Sequence, residues 1–186
     1  MAYDKQTFLK NVTVICDTRE QNNKHILSEF DRLKVKYTSD KNLCLGDYSF
    51  IIQDRDFSLS CVVERKANIN ELYGNVVSDR ERIEKEFSAA RSIINQFTLL
   101  IENCPDEQYL NSYTVPDWEM ERYHRKVKNI GKECYSTVQS WKCADRYGFN
   151  VSYISDKANT AAKILEIFYW YWRNFKIKTA SRRNRR

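Results

Sequence analysis

Proline is scarce in this chain, with two residues in 186, Pro105 and Pro116, and both fall in one stretch. Histidine is as scarce, at His25 and His124. The six cysteines, at positions 16, 44, 61, 104, 134 and 143, form no Cys-x-x-Cys pair. With so few nitrogen ligands and no paired thiols, neither a zinc site nor a disulfide framework is expected. Cys16 and Cys61 lie inside apolar segments, where a free thiol acts as a small hydrophobe. No apolar run approaches the length of a membrane span. The start, Met1-Ala2-Tyr3-Asp4-Lys5, has none of the features of a secretory signal. These absences predict an intracellular protein, cytoplasmic or (in a eukaryote) nuclear, that is not secreted and has no membrane partner. Acid is missing from the last stretch: residues 176–186 hold Lys176, Lys178, Arg182, Arg183, Arg185 and Arg186 and no Asp or Glu. Those six cations equal the whole formal excess of +6, so the remainder is close to neutral. Such a tail suits polyanions through counterion release without sequence preference, and a solubilising end is the plainer alternative.

The length corresponds to one domain with a real core and a short appendage: residues 1–175 as the domain, 176–186 as the basic tail. Two apolar segments carry its chemistry. Leu45 to Gln53 contains Gly46-Asp47-Tyr48, and Ser58 to Lys66 ends in Glu64-Arg65-Lys66. Read as strands joined by Asp54-Arg55-Asp56-Phe57, they form a hairpin that could bring Asp47 beside the second strand's end. Side chains alternate along a strand, so Glu64 and Lys66 share one face and Arg65 takes the other. Two carboxylates suit a hard divalent cation such as magnesium, which takes its remaining ligands from water and phosphate. A bound cation acidifies its water and offsets charge on a phosphoryl group, and a nearby lysine can assist. The set fits metal-dependent hydrolysis of a phosphodiester. The bland alternative is the solvated face of an edge strand.

The neighbouring sequence adds context. Val12 to Asp17 reads as a strand and is followed by Thr18-Arg19-Glu20. Asp-x-Arg-Glu, then Gly-Asp, then Val-Glu-Arg-Lys therefore occur in order. This set resembles the nuclease domain of the XPF family of structure-specific endonucleases, a branch of the PD-(D/E)XK superfamily. The resemblance covers roughly Val12 to Phe175. It implies a three-layer α/β/α fold with a mixed central sheet, and a magnesium- or manganese-dependent endonuclease acting on branched or flapped DNA near single-strand to double-strand junctions. No small-molecule cofactor is implied beyond the cation. By the same resemblance Asp47 and Glu64 would be metal ligands, Lys66 the catalytic lysine, and Asp17 and Glu20 acidic groups at the rim. Arg19 and Arg65 would position phosphates or brace the carboxylates; ordinary ion pairs are the alternative for both. The family usually has an acid four positions after the lysine, where this chain has Asn70 followed by Glu71. That departure leaves open whether Glu71 substitutes. It also keeps a catalytically inactive scaffold in view, beside a resolvase- or restriction-type enzyme of the same superfamily. The helicase or helix-hairpin-helix modules of longer members are not expected within this chain.

Around these segments the periodicity predicts a helix over residues 21–34, with Ile26, Phe30 and Leu33 as its stripe, and a longer helix opened by Ser78-Asp79-Arg80-Glu81. Arg80 and Arg82 on that helix are candidates for phosphate contact, with pairing to Glu84 and Glu86 the plainer alternative. Phe97 to Glu102 reads as a buried strand. Residues 103–132 are expected to form a divergent insertion or flap, in which Tyr123, Arg125 and Lys126 could contact DNA. A helix over 133–147 ended by Gly148, a strand over 149–154 and a final helix to about Phe175 complete the expectation. That last helix is apolar nearly all round, Ile164 to Trp172, which points to a second surface and, with the resemblance, to a homodimer through it. Arg182 and Arg183 of the tail are the remaining DNA-contact candidates.

Overall fold

The computed structural model describes residues 5–122 and 126–183, the side chains at 40 and 180–183 excepted. A mixed seven-stranded sheet with helices on both sides forms the three-layer arrangement expected. The strands are β1 (Val12–Asp17), β2 (Lys36–Lys41), β3 (Tyr48–Ile52), β4 (Arg55–Asp56), β5 (Cys61–Lys66), β6 (Gln96–Glu102) and β7 (Asn150–Ile154). Their order is β2-β1-β3-β5-β6-β7, with β4 on β3. β1 runs parallel to β2 and β6 parallel to β7, while β3 is antiparallel to β1, β4 and β5. The helices are α1 (Lys5–Asn11), α2 (Lys24–Arg32), α3 (Ile69–Val77), α4 (Arg80–Ile93), α5 (Glu107–Ser112), α6 (Asp117–Arg122), α7 (Gly131–Lys142) and α8 (Thr160–Arg183), the last preceded by a 3-10 turn at Lys157–Asn159.

Two compact units divide the chain. The first holds the residues up to Val63, Ile94–Gln96 and those from Ala158 onward; the second holds Glu64–Ile93 and Phe97–Lys157. In the first unit, β1 and β3 are apolar and buried along almost their whole length, as a central pair must be. Helix α2 begins later than the expected span and closes in a Schellman motif. Val35 N–H donates to the Phe30 carbonyl at 2.9 Å and Lys34 N–H to Asp31 at 3.0 Å, with Lys34 at φ +54°. The aromatic run of α8 packs within this unit. Phe168 lies 4.8 Å from Phe50, Trp172 5.5 Å from Phe8, and Tyr171 and Phe175 meet Phe57 edge-on. The wide apolar circumference of α8 thus has partners of its own, and the helix continues past Phe175 to Arg183.

In the second unit Phe87 of α4 is the hub, with Trp141, Phe97, Tyr147 and Phe149 around it at 4.7–5.7 Å. Helix α3 was not expected from the sequence. Asn68 caps it by accepting the Glu71 N–H, and Glu71 reaches back to the Ala67 N–H, a reciprocal cap. Ser78, expected to open the long helix, closes α3, and Asp79 intervenes before α4. Helix α7 starts two residues earlier than expected and stops at Lys142, after which turns lead to Gly148. The stretch 103–132 is not one open loop: it contains α5 and α6. α5 packs closely on α7, because a Cβ on Gly131 would lie 2.3 Å from the Leu110 carbonyl oxygen.

Candidate active site

The Gly46-Asp47 pair sits ahead of β3 rather than inside it. Gly46 has φ +70°, and a Cβ there would fall 2.2 Å from Val62 Cγ1 and 3.1 Å from the Val63 carbonyl oxygen. Only glycine takes this conformation at this distance without strain. The close approach lets the Asp47 N–H donate to the Val63 carbonyl at 2.9 Å, while the Asp47 carbonyl accepts from the Asp17 N–H at 2.8 Å. Three chain segments separated by many residues are thereby fastened at Asp17, Asp47 and Val63, and Glu64 is the next residue in the chain.

Asp17 itself is 2% exposed. One carboxylate oxygen accepts from the Arg19 backbone N–H at 2.9 Å and Arg19 Nε at 2.7 Å; the other accepts from Arg19 Nη2 at 3.1 Å and from the Leu43 N–H at 2.6 Å. A carboxylate has about four lone-pair positions, so these donors use its capacity. Burial pushes the Asp17 carboxyl up, but the hydrogen bonds and charge of Arg19 with the Leu43 N–H outweigh it and hold the group below its ordinary value. Asp17 is therefore placed as a brace for the segment that delivers Asp47. Arg19, whose side chain is 68% exposed, keeps a solvent-facing surface while making that brace. Glu20 is half-buried and accepts from the Asn22 N–H at 3.2 Å.

In the second unit, Glu64 and Lys66 share a face of β5 as the alternation requires, and both are buried. Lys66 Nζ donates to Glu64 Oε1 at 2.8 Å and lies 3.9 Å from Glu71 Oε1. Burying an ammonium is costly unless it is paired in this way. Arg65 points to the opposite face and donates to Glu102 Oε2 at 2.8 Å, the two side chains being 3% and 1% exposed. Arg65 is thus buried and ion-paired on the face of β5 away from Glu64 and Lys66. Asn70 Nδ2 is 3.4 Å from the Tyr113 hydroxyl oxygen, while neighbouring Glu71 is engaged in capping α3.

Arg80 and Arg82 make the plainer contacts expected of them: Arg80 with Glu84 at 2.9 Å and Arg82 with Glu86 at 2.7 Å. Lys126 is exposed. Tyr123 and Arg125 lie outside the described residues, as do the side chains of Arg182 and Arg183. Among the described residues no group of three or more His, Cys, Asp or Glu is placed to hold a metal ion. Sequence reasoning missed two residues. Glu102 ends an apolar strand, and a lone acid in that position is a signal for a buried cation. Leu43 acts through its backbone, for which no sequence signal exists.

Residues 16–167 match the ERCC4 domain. Among solved structures, XPF from Aeropyrum pernix is similar with a TM-score of 0.59 and 20% identity, covering 90% of this chain and 69% of that one. The same protein in complex with DNA gives 0.57 and 20% identity, covering 87% and 66%. This chain therefore spans about two thirds of the length of those structures. At such identity the likeness establishes a shared fold. No curated protein sequence matches significantly.

Proposed function

We propose that this chain, which belongs to the ERCC4-domain family, is a metal-dependent endonuclease that hydrolyses phosphodiesters in branched or flapped DNA near single-strand to double-strand junctions. The observation that carries this reading is the Gly46-Asp47 turn, hydrogen-bonded to Val63 immediately before the buried Glu64–Lys66 pair. DNA as the substrate is supported by the fold shared with XPF, one structure of which is a complex with DNA.

The donor set fits a magnesium or manganese ion. Such a cation takes one or two carboxylates and completes its shell with water and substrate phosphate, so no third protein acid is required. Asp47 and Glu64 are the residues that would hold it. Asp17, with its lone pairs occupied, is assigned to positioning Asp47, and Glu20 to the outer edge of the site. The cation, when bound, supplies the Lewis acidity that phosphodiester hydrolysis needs. Lys66 contributes its charge at the same face, where a low-dielectric setting makes an ammonium most effective against charge building on a phosphoryl group. In the absence of substrate that charge is held by Glu64. Arg65 and Glu102 keep the strand carrying both groups in place from behind.

The test is cleavage of a labelled 3′-flap and splayed-arm DNA panel with magnesium or manganese, comparing wild type with Asp47→Ala and Glu64→Ala. The expected result is cutting near the junction that requires the cation, with cleavage abolished in both variants and DNA binding retained. Most of the activity surviving in both would sink the proposal. Binding without cleavage by the wild type would instead favour an inactive scaffold and make Asn70→Asp the first substitution to try. A homodimer through α8 is the other implication of the resemblance; among the described residues of that helix, Trp170 and Ile177 are the large apolar side chains it would have to bury.

A further inference from the structure

From its midpoint onward α8 presents an aromatic ring followed by cations. Trp170 is 46% and Ile177 49% exposed, the Arg173 guanidinium lies 5.0 Å from the Trp170 ring centroid, and these three recur at spacings of three and four, on one face. Lys176, three residues beyond Arg173, sits 5.8 Å from the Trp172 ring and 3.3 Å from Gln53 Oε1, and Lys178 is exposed. From Trp170 to Arg183 the helix contains no acid; its last one, Glu166, lies one turn before Trp170, pairs with Lys163 at 2.9 Å and accepts a hydrogen bond from the Trp170 indole, which leaves the ring's faces clear. The opposite side of the helix is anchored by Phe168 and Trp172, both buried. The exposed face is therefore a preorganised surface rather than a loose tail.

We propose that this face of α8 binds a single-stranded DNA segment, with Trp170 stacking on a base, Arg173 beside it neutralising the adjoining phosphate, and Lys176 and Lys178 on the two flanks of the face adding to the positive potential. The inference rests on the reading of the chain as a DNA-acting nuclease and adds a strand-holding surface to it. Aromatic platforms set among cations are how proteins hold unpaired strands without sequence preference, since every base offers a π face. Charge complementarity favours this occupant over a second copy of the chain. A two-fold pairing through the same face would bring the cations of one copy, Arg173 with Lys176 and Lys178 at its flanks, close to those of the other, and like charges so placed oppose association.

The experiment measures anisotropy of fluorescein-labelled oligo(dT) and of a blunt duplex with the full chain in EDTA, over a series of salt concentrations. Trp170→Ala is expected to weaken oligo(dT) binding roughly ten-fold and duplex binding by less than about two-fold. Arg173→Gln and Lys176→Gln should each lower the salt slope for oligo(dT) by about 0.7. Thermal unfolding of each variant shows whether the fold is kept. Unchanged oligo(dT) affinity in a folded Trp170→Ala protein overturns the proposal, as does an unchanged salt slope in both charge variants. So does a wild-type dimer in sedimentation that Trp170→Ala dissociates without changing oligo(dT) affinity, which would give the face to a second copy. Because affinity is read without a cation, loss of the nuclease reading in the cleavage assay leaves this result standing, and the converse holds.

Discussion

Arg65 and Glu102 show how a residue inside a functional motif can act from behind the site. Their side chains are 3% and 1% exposed and meet at 2.8 Å, so both charges are paired out of water. Removing one partner leaves an uncompensated buried charge, whereas removing both leaves only a packing change. Arg65→Met is expected to cost about 3 to 5 kcal/mol in urea denaturation. Arg65→Met with Glu102→Leu should recover most of that loss. If the single and double variants lose equally, the pair is not what holds Arg65 in place.

Helix α4 is tied to the end of α7 and the turn beyond it through one acid. Glu84 accepts from Trp141 Nε1, Arg80 Nε and Arg146 Nη2, each at 2.9 Å, and from the Tyr147 hydroxyl at 3.0 Å. Burial pushes its carboxyl up, but these hydrogen bonds and the Arg146 charge outweigh it and bring the pKa down to about 2. The folded pKa lies below the unfolded one, so the associated stability is complete above the ordinary Glu value near ~4.3 and is lost as pH falls towards 2. Glu84→Gln should therefore destabilise by something on the order of 2 kcal/mol at neutral pH, with the gap from wild type closing as pH drops from about 4 to 2. Urea denaturation at several pH values reads this directly; a gap that stays constant would show that the loss is steric.

Taken whole, the chain carries a formal charge of +6, and residues 176–186 hold six cations without an acid. The rest of the surface is close to neutral, so non-specific DNA affinity should depend on this one end. Replacing Arg182, Arg183, Arg185 and Arg186 by Gln is expected to weaken duplex binding and to lower the salt slope by roughly 0.9 for each arginine that touches a phosphate. An unchanged slope would assign the stretch to solubility alone.

Local order carried much of this protein in its sequence. The period of two along β5 placed Glu64 with Lys66 and set Arg65 apart, and the apolar runs marked β1, β6 and β7. The ordered motifs pointed to the family that residues 16–167 match. Partners distant in the chain were beyond reach. That Leu43 completes the bonding of Asp17, that Glu102 waits for Arg65, and that Gly131 lets α7 approach the α5 segment are facts about contacts, and composition has no period for them. The same limit explains α3, whose reciprocal Asn68–Glu71 cap lies directly beside the motif residues, and α8, whose ring partners Phe8, Phe50 and Phe57 come from distant parts of the chain. Backbone geometry repeats along a chain and can be read from it. Hydrogen-bond partners and ring contacts are selected by packing, which exists only once the chain has closed on itself.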